Sequence, residues 1–383
     1  MGAQGRNSLT WLPKSLRLFL AVLATGIASG MVGILCHYLI EFIQFLAFGN
    51  DNSDLLLQYH SVSACRRFFV ILIAGVFASL FWVFSFNDGY RFCPLVKRNN
   101  WLGKRSPNFL GQTLHALVQV AIVGAGASVG KEGAPRELGA LCAGSLSKGL
   151  GLEISERQLM IACGAGAGLA AVYQVPFASA LFVLETLGVG WKLKNIVVIL
   201  FSTYLSAYCA RPIVGGEAIY AVNKVSLYPN SLIQVFVLAL TITPLALVFK
   251  VLAKSASKSR MTDKRILWTM PVSFIILGGI AAFSPMIMGN GQVMAQWLFS
   301  GGVSEYLPIL LVTKALIVCL LLWSGTYGGT LTPSFTLGVG TGYLVTMWLE
   351  NLGLTLSPNL GMLLGATVFL GTTLDAPLTG IAL

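Results

Sequence analysis

Charged side chains are scarce in this sequence. Asp, Glu, Lys and Arg make up only 10% of its 383 residues, whereas hydrophobic residues make up 56% and the mean hydropathy is +0.78. A chain so poor in charge cannot cover an apolar core with a polar surface, which excludes an ordinary soluble domain. The composition therefore indicates a polytopic membrane protein.

Metal-binding and catalytic motifs are also missing. The three histidines, His37, His60 and His115, are scattered, and the seven cysteines lack paired metal-type spacing, which argues against a zinc site or a disulfide framework. The residues before Gly133 imitate a phosphate-binding loop, but Ala125 holds its first glycine position and Glu132 its magnesium-ligand position. Neither HExxH nor a GxSxG with a credible base occurs. We therefore expect neither an enzyme, nor a metal site, nor a bound cofactor.

Six apolar stretches are long enough, or nearly so, to span a bilayer as α-helices. They lie at 18–48, 68–86, 196–210, 232–252, 266–288 and 307–323. Five further apolar pieces are interrupted by Gly and Pro, at 109–129, 138–152, 159–187, 332–349 and 358–383. Such segments are tolerated at membrane depth where non-helical backbone is buried or lines a cavity. Their abundance predicts an all-α transporter or channel rather than a simple anchor.

The net charge of +11 is concentrated in particular loops. Basic residues cluster before the first apolar stretch, after the second one, at 91–105, and in the connection at 250–265. The segment 49–64 instead carries Asp51 and Asp54 and no Lys or Arg. By the positive-inside rule, the N-terminus is expected in the cytoplasm, in a plasma membrane or a bacterial inner membrane. The expected surroundings are membrane lipid, and nucleic-acid binding is not expected.

The segment GKEGAPRELGA, at 130–140, places a lysine and two glutamates directly after an apolar stretch. An ionisable group at membrane depth is expensive, so it is by default a functional-site hypothesis. Gly130 and Gly133 let the backbone approach a ligand and are expected to supply unpaired N–H groups, and a helix is predicted to begin at Pro135. Backbone amides at a helix start attract anions. Glu132 is therefore predicted to compete with a permeant anion for this site.

Other interpretations of these charges remain open. Glu132 is alternatively a loop charge at a helix start, where a carboxylate is locally favourable. Lys131 and Arg136 either raise the local anion concentration or pair with Glu137 or with lipid headgroups.

The chain also matches itself at a nearly constant offset, as expected for an internal duplication in a transporter. Gly130, Leu138 and Gly139 align with Gly329, Leu337 and Gly338, which places Glu132 opposite Leu331. QVPFASALF at 174–182 aligns with DAPLTGIAL at 375–383. We expect one transmembrane domain over 1–383, with a first repeat at about 17–214 and a second, probably inverted, at about 230–383. The second repeat is expected to be incomplete at its C-terminal end, because the chain stops in an apolar run.

Several of these motifs resemble those of the CLC family of chloride channels and chloride/proton antiporters. GKEGAPRELGA is similar to the family's GREGP or GKEGP signature, with Ala134 in place of proline. GGTLTP at 328–333 resembles its GxFxP signature, and DAPLTGIAL resembles its APLTGI segment. GAGAGLAAVYQVPFASALFVLE at 164–185 is similar to a further family stretch. The matches follow the family's order from about residue 86 to residue 383.

The resemblance implies an α-helical inverted-repeat fold and a homodimer with one chloride pathway per subunit. It makes Glu132 the gating glutamate, whose carboxylate occupies an anion site and leaves it when protonated or displaced. Leu331 stands where the family usually has phenylalanine. The anion-binding residues carried over on this basis are Gly130, Lys131, Gly133, Gly329, Thr330, Leu331, Thr332 and Arg91.

Three departures from the family pattern bear on mechanism. The family's GSGIP motif maps onto 90–94, so Arg91 replaces its anion-coordinating serine and either attracts anions or marks the cytoplasmic side. Thr186 stands where the antiporters have their inner proton-transfer glutamate. The family's anion-binding tyrosine lies beyond residue 383. We therefore expect gated chloride transport, with passive conduction favoured over chloride/proton exchange. The alternatives are a non-conducting, degenerate member with a structural or regulatory role and a fluoride-selective transporter.

Overall fold

The computed structural model describes residues 11–49, 55–87, 108–216, 219–302 and 304–383, and within these ranges the chain is helical without any named β-strand. This confirms the all-α prediction. The α-helices, numbered in chain order, are α1 (Lys14–Phe48), α2 (Leu55–Ser61), α3 (Ala64–Asn87), α4 (Phe109–Gly124), α5 (Gly133–Gly149), α6 (Ile154–Tyr173), α7 (Pro176–Thr186), α8 (Leu193–Val214), α9 (Ser231–Lys258), α10 (Ile266–Phe283), α11 (Gln292–Phe299), α12 (Leu307–Ser324), α13 (Leu331–Asn351), α14 (Pro358–Leu374) and α15 (Pro377–Ala382).

Six helices in the described ranges are long and apolar enough to cross a membrane. They are α1, α3, α8, α9, α10 and α12, and each one overlaps one of the six uninterrupted stretches of the sequence. Their outward faces carry many exposed large apolar side chains, including Phe236, Ile309 and Tyr208. Such faces are stable in hydrocarbon and costly in water, which agrees with a polytopic membrane protein.

A proline ends one helix within an apolar stretch, and a left-handed residue separates two helices within another stretch. The stretch 266–288 does not form one helix: α10 ends at Phe283, and a short 3-10 helix, Pro285–Ile287, follows. Pro285 lacks an N–H for the α-helical hydrogen bond, and the residue before it, Ser284, is extended, as a residue before proline prefers. Likewise, Gln174 adopts a left-handed conformation between α6 and α7.

Glycine contacts bring two pairs of helices unusually close together. A Cβ added at Gly139 of α5 would lie 2.1 Å from the Gly164 carbonyl oxygen of α6. A Cβ added at Gly338 of α13 would lie 2.5 Å from the Gly365 carbonyl oxygen of α14. Both contacts put backbone against backbone, so neither tolerates a side chain, as is common where membrane helices pack closely.

These two contacts involve positions that the sequence alignment makes equivalent, and further equivalences follow along the chain. Gln174 and Asp375, which end α6 and α14, both have positive φ, at 53° and 55°. The next helix begins at Pro176 in one half and at Pro377 in the other. The matched helices are therefore α5 with α13, α6 with α14, and α7 with α15. The repeat boundaries and the incomplete second repeat stay predictions.

Contacts at the start of α1 identify one end of the molecule. Lys14 donates to Glu153 Oε1 at 2.7 Å, and Arg17 donates to the Gly151 carbonyl at 2.8 Å. The start of α1 therefore lies beside the connection between α5 and α6. The hydrogen bond from Lys14 lowers the pKa of the exposed Glu153 carboxyl. Asp51, Asp54 and the basic residues at 91–105, used above to predict orientation, lie outside the described residues.

Candidate functional site

Glu132 lies at the meeting point of the two halves of the chain. It immediately precedes α5, and its Oε1 atom accepts a hydrogen bond of 2.6 Å from the backbone N–H of Leu331, the first residue of α13. The side chain is buried, with 1% of the residue exposed. Its carboxylate thus occupies the positive end of a helix contributed by the other half, where an anion is favoured.

The second carboxylate oxygen is less well satisfied. Glu132 Oε2 is buried and accepts no hydrogen bond from the protein. A buried acceptor without a partner loses hydration without compensation, which costs about 1–3 kcal/mol and more when it is charged. The observed position of Glu132 therefore leaves one of its two carboxylate oxygens without a well-formed hydrogen bond.

Gly130 and Gly329 fix the distance between the two helix starts. The Gly130 N–H donates to the Gly329 carbonyl at 2.8 Å, and the Gly329 N–H donates to the Gly130 carbonyl at 2.9 Å, in an antiparallel bridge. The two residues are equivalent under the sequence repeat. Because each one bonds reciprocally to the other, the two loops are related by a local twofold rotation, as an inverted repeat requires.

The same two glycines make room for the carboxylate. A Cβ at Gly130 would lie 2.1 Å from Glu132 Oε2, and a Cβ at Gly329 would lie 2.1 Å from Glu132 Oε1. Any other residue at either position would collide with the carboxylate in its observed position. The expectation that Gly130 offers an unpaired N–H is wrong, because that group is used in the bridge. The structural contribution of both glycines is their lack of a side chain.

Gly133, Thr330 and Thr332, which were also predicted to bind the anion, lie in three different environments. Gly133 begins α5, two residues before the predicted start, and a Cβ there would lie 2.8 Å from Gln119 Oε1. Thr330 precedes α13, and its side chain does not cap that helix. The Thr332 hydroxyl is buried and lies 3.1 Å from the Tyr173 hydroxyl, with either oxygen able to donate. The Thr330–Thr332 region lies beside Glu132 through the Leu331 amide, and the anion-binding contribution of Thr330 and Thr332 stays a prediction.

The two cations flanking Glu132 both lie over aromatic rings. Lys131 Nζ is 5.8 Å from the centroid of the Tyr173 ring, and the Arg136 guanidinium is 4.7 Å from that of Phe182. Cation–π contacts of this kind hold a positive charge without neutralising it. Arg136 also interacts electrostatically with Glu137, so both interpretations of these two cations, attraction of anions and pairing with Glu137, stay open.

Three residues at the site escaped the sequence analysis. Tyr173 ends α6, and Tyr220 follows α8; both phenols lie close enough to Glu132 to interact with it electrostatically. The Tyr220 ring also stacks on Phe335, with centroids 4.7 Å apart. Asn290 lies in a Gly-Asn-Gly loop. No motif distinguishes the tyrosines, but a polar residue between two glycines in an apolar region was a signal available for Asn290.

Glu185, at the end of α7, is engaged in a second contact between the halves. Its carboxylate accepts hydrogen bonds from the N–H groups of Leu378 and Thr379, at 3.0 and 2.8 Å, and from the Thr379 hydroxyl, at 2.6 Å. It thus caps the start of α15 with three donors. Glu185 therefore makes a structural contact between the halves, and Thr186 beside it carries no acid.

Arg91 and the segment 90–94 lie outside the described residues, so the contribution predicted for Arg91 stays a prediction. Within the described ranges, no group of three or more His, Cys, Asp or Glu side chains is arranged to hold a metal ion. The described site combines backbone amides, hydroxyls, one carboxylate and two flanking cations. Amides at a helix start and nearby cations are groups that attract anions.

Comparison with known proteins identifies the class to which this fold and site belong. Residues 75–383 match the family described as voltage-gated chloride channels, and the chain belongs to this family, the CLC family. The resemblance inferred from the motifs is therefore confirmed.

Individual relatives agree with this assignment. The chain is 25% identical over 381 residues to a voltage-gated ClC-type chloride channel, ClcB, of Escherichia coli O81 (strain ED1a), a match that covers 94% of this chain and 88% of ClcB. Its fold is similar to that of a slow cyanobacterial Cl⁻/H⁺ antiporter, with a TM-score of 0.80, 18% identity and coverage of 97% and 89%. A CLC-type fluoride/proton antiporter gives a TM-score of 0.77, 18% identity and coverage of 96% and 89%.

Proposed function

We propose that this protein transports chloride across a membrane through a CLC-type pathway gated by Glu132. The observation that carries the proposal is the hydrogen bond between the Glu132 carboxylate and the Leu331 amide at the start of α13. A carboxylate and a chloride ion are both anions, so they compete for this amide and for the positive end of the helix. Chloride passes when the carboxylate leaves.

Two events release the carboxylate in this account. Protonation removes the negative charge that the α13 amides attract, and a chloride ion entering from one side displaces it directly. The lack of a well-formed hydrogen bond at Oε2 favours both events, because less is lost when the carboxylate leaves. The lack of a side chain at Gly130 and Gly329 leaves the vacated space open to an anion of similar size.

Passive conduction is favoured over chloride/proton exchange. A proton relay needs titratable groups at both ends of its path, and Thr186 supplies none at the position where the family's antiporters carry theirs. The neighbouring Glu185 is occupied by three donors at the start of α15. Exchange is the second candidate, because two of the solved structures with this fold are proton-coupled antiporters.

Two alternatives to chloride transport are a fluoride-selective transporter and a non-conducting protein. Fluoride is the substrate of one solved structure with this fold, which keeps fluoride selectivity as a candidate. A non-conducting member with a structural or regulatory role is the other candidate, motivated by Arg91 at the family's serine position. The close arrangement of Glu132, Gly130 and Gly329 supports conduction.

Orientation and assembly belong to the same proposal. The N-terminus is placed in the cytoplasm, in a plasma membrane or a bacterial inner membrane, on the charge distribution of the sequence. Under this orientation, the α5–α6 connection, which binds Lys14 and Arg17, is also cytoplasmic. The family resemblance supports a homodimer in contact with lipid, with one pathway in each subunit. A mass measurement of the detergent complex tests the dimer.

Anion efflux from proteoliposomes tests the proposed function. Vesicles loaded with chloride or fluoride and containing the purified protein are expected to release chloride faster than protein-free vesicles. Preferential release of fluoride would instead support the fluoride transporter. Equal chloride release with and without protein would leave the non-conducting alternative.

A further inference from the structure

A cavity of about 650 Å³ opens beside Lys131 and is not lined by Glu132 itself. We refer to it as the Lys131 cavity; its polar lining includes His37, Gln44, Gln58, Lys131 and Asn290. Its α1 residues, from His37 to Phe45, belong to the C-terminal half of that helix. It therefore lies toward the opposite end of α1 from Lys14, which is the outer side under the proposed orientation.

Asn290 is the polar residue in this cavity whose hydrogen bonding is incomplete. The residue is buried, with 7% exposed. Its Oδ1 atom accepts a hydrogen bond of 3.2 Å from the Gln292 N–H at the start of α11, whereas its buried Nδ2 atom makes no well-formed hydrogen bond and interacts with the phenol of Tyr173. Buried polar groups are rarely left unpaired, because each costs about 1–3 kcal/mol. An NH₂ group carries two N–H donors, so with one directed at the Tyr173 phenol the other is left for an acceptor in the cavity.

The loop that carries Asn290 is fixed by hydrogen bonds from two other segments of the chain. The fully buried ammonium of Lys314, in α12, donates to the carbonyls of Ile287 and Gly289, at 2.9 and 2.7 Å. The Gly289 N–H donates to the Gly126 carbonyl at 2.9 Å, which ties the loop to the connection between α4 and α5. The position of Asn290 is therefore fixed before any ligand arrives, as a binding site of high specificity requires.

Tyr173 links Asn290 to Lys131 and to the gate. Its ring lies 5.8 Å from Lys131 Nζ, and its hydroxyl lies 3.1 Å from Thr332 Oγ1 in the first turn of α13. The same phenol is close to the Asn290 side chain and interacts with Glu132 electrostatically. An ammonium and an amide NH₂ group thus border one tyrosine, immediately next to the gating carboxylate.

The basic and acidic side chains of the cavity lie in different parts of it. Among the described residues that line it, Lys131 is the only lysine or arginine, and the acidic residue is Glu41, whose Oε1 atom lies 3.2 Å from His37 Nε2. Glu41 is 56% exposed at the rim, so solvent screens it more than it screens Lys131. The inner part of the cavity therefore presents hydrogen-bond donors.

We propose that Lys131 and Asn290 form an accessory halide site in the Lys131 cavity, from which chloride moves on to displace Glu132. This inference rests on the proposed chloride transport. The Lys131 ammonium and the Asn290 Nδ2 group donate to the ion, and the Tyr173 ring separates the site from the α13 amide that holds the gate. The site loads the pathway from one side only.

Asn290→Asp is the sharpest test variant. It keeps the size of the side chain and the oxygen that caps α11, but it replaces the donor with a negatively charged acceptor. Anomalous diffraction from crystals grown in bromide should show an ion between residues 131 and 290 in the wild type and none in this variant. Lys131→Gln should also lose the ion, and Glu132→Gln, which leaves both donors in place, should retain it.

Transport measurements supply the second readout. In Asn290→Asp, the chloride concentration that gives half-maximal flux should rise about tenfold on the cavity side, the effect of losing one hydrogen bond to a charged group. The same quantity measured from the other side should not change. Asn195→Asp is the matched control, because Asn195 is remote from the cavity and donates to the Val189 carbonyl.

The experiments distinguish failure of the accessory site from failure of the proposed chloride transport. Wild-type crystals without bromide at residues 131 and 290 would overturn the accessory site, as would an unchanged concentration dependence in Asn290→Asp. A wild-type protein that carries no anions would overturn the proposed function, whereas the bromide density would still decide whether the site binds halide.

Discussion

The Glu132 carboxylate and the Leu331 amide meet at 2.6 Å although 199 residues separate them in the chain. The two positions are equivalent in the sequence repeat, so one half supplies the acid and the other half supplies the helix start that receives it. The contact therefore both joins the halves and occupies the proposed anion site. In the proposed mechanism, the gate opens only when the hydrogen bond between Glu132 and Leu331 breaks.

Gly329→Ala should displace the gate without removing its charge. The added Cβ would lie 2.1 Å from Glu132 Oε1, closer than nonbonded atoms approach, so the carboxylate must leave its position at Leu331. Chloride flux from proteoliposomes is expected to lose most of its dependence on pH. Gly279→Ala is the matched control, because a Cβ at Gly279 in α10 meets no atom within 4 Å.

One outcome would contradict the prediction for Gly329→Ala. Full wild-type pH dependence in Gly329→Ala, with a folded protein and an unchanged control, would show that flux does not depend on where the Glu132 carboxylate lies.

The glycine contacts between helices should be equally sensitive in both halves. Gly164→Ala would place a Cβ 2.2 Å from the Gly139 carbonyl, and Gly365→Ala would place one 2.3 Å from the Gly338 carbonyl. Each should lower the free energy of unfolding by about 1–3 kcal/mol, because backbone cannot move aside as a flexible side chain can. Thermal unfolding in detergent measures the loss, with Gly279→Ala as the control. Stability unchanged in either variant would contradict the close packing described here.

Glu185→Ala should destabilise the contact between α7 and α15. The substitution removes the acceptor for two backbone N–H groups and one hydroxyl at the start of α15. We expect a loss of about 1–3 kcal/mol in thermal unfolding. Glu185→Gln, which keeps one acceptor oxygen, should recover part of that stability. Identical unfolding of the two variants would argue against the capping role.

Proton coupling should be weak or absent. A chloride gradient imposed on proteoliposomes is expected to drive no uphill proton movement, because the Thr186 hydroxyl cannot take up and release a proton at the inner end of a relay. A pH-sensitive dye inside the vesicles measures the proton movement. Stoichiometric proton pumping would favour exchange, and loss of that pumping in Glu185→Gln would identify Glu185 as the carrier.

Most of the architecture was accessible from the sequence. Long uninterrupted apolar runs predicted the spanning helices because only helices satisfy their own backbone hydrogen bonds in lipid. The end of α10 at Phe283 was missed, since a continuous apolar run hides Pro285, whose effect is local.

The site was predicted in part. Glu132 and the Thr330–Thr332 region were found because charge and glycine are conspicuous in an apolar chain. The pairing of Gly130 with Gly329 was not, because periodicity gives no information about which loops meet. Tyr173, Tyr220 and Asn290 reach the site from three separate segments of the chain, and only tertiary structure brings them together.

The measurement that tests the central claim most directly is chloride flux in wild type and Glu132→Gln across a pH series. Glutamine is close in size to glutamate but cannot change its charge. In the wild type, acid should protonate Glu132 and release it from the Leu331 amide, so flux should rise as pH falls. Flux through Glu132→Gln should be independent of pH, and Glu350→Gln, at the far end of α13, should behave as the wild type does. The same rise with acid in wild type and Glu132→Gln would contradict the account.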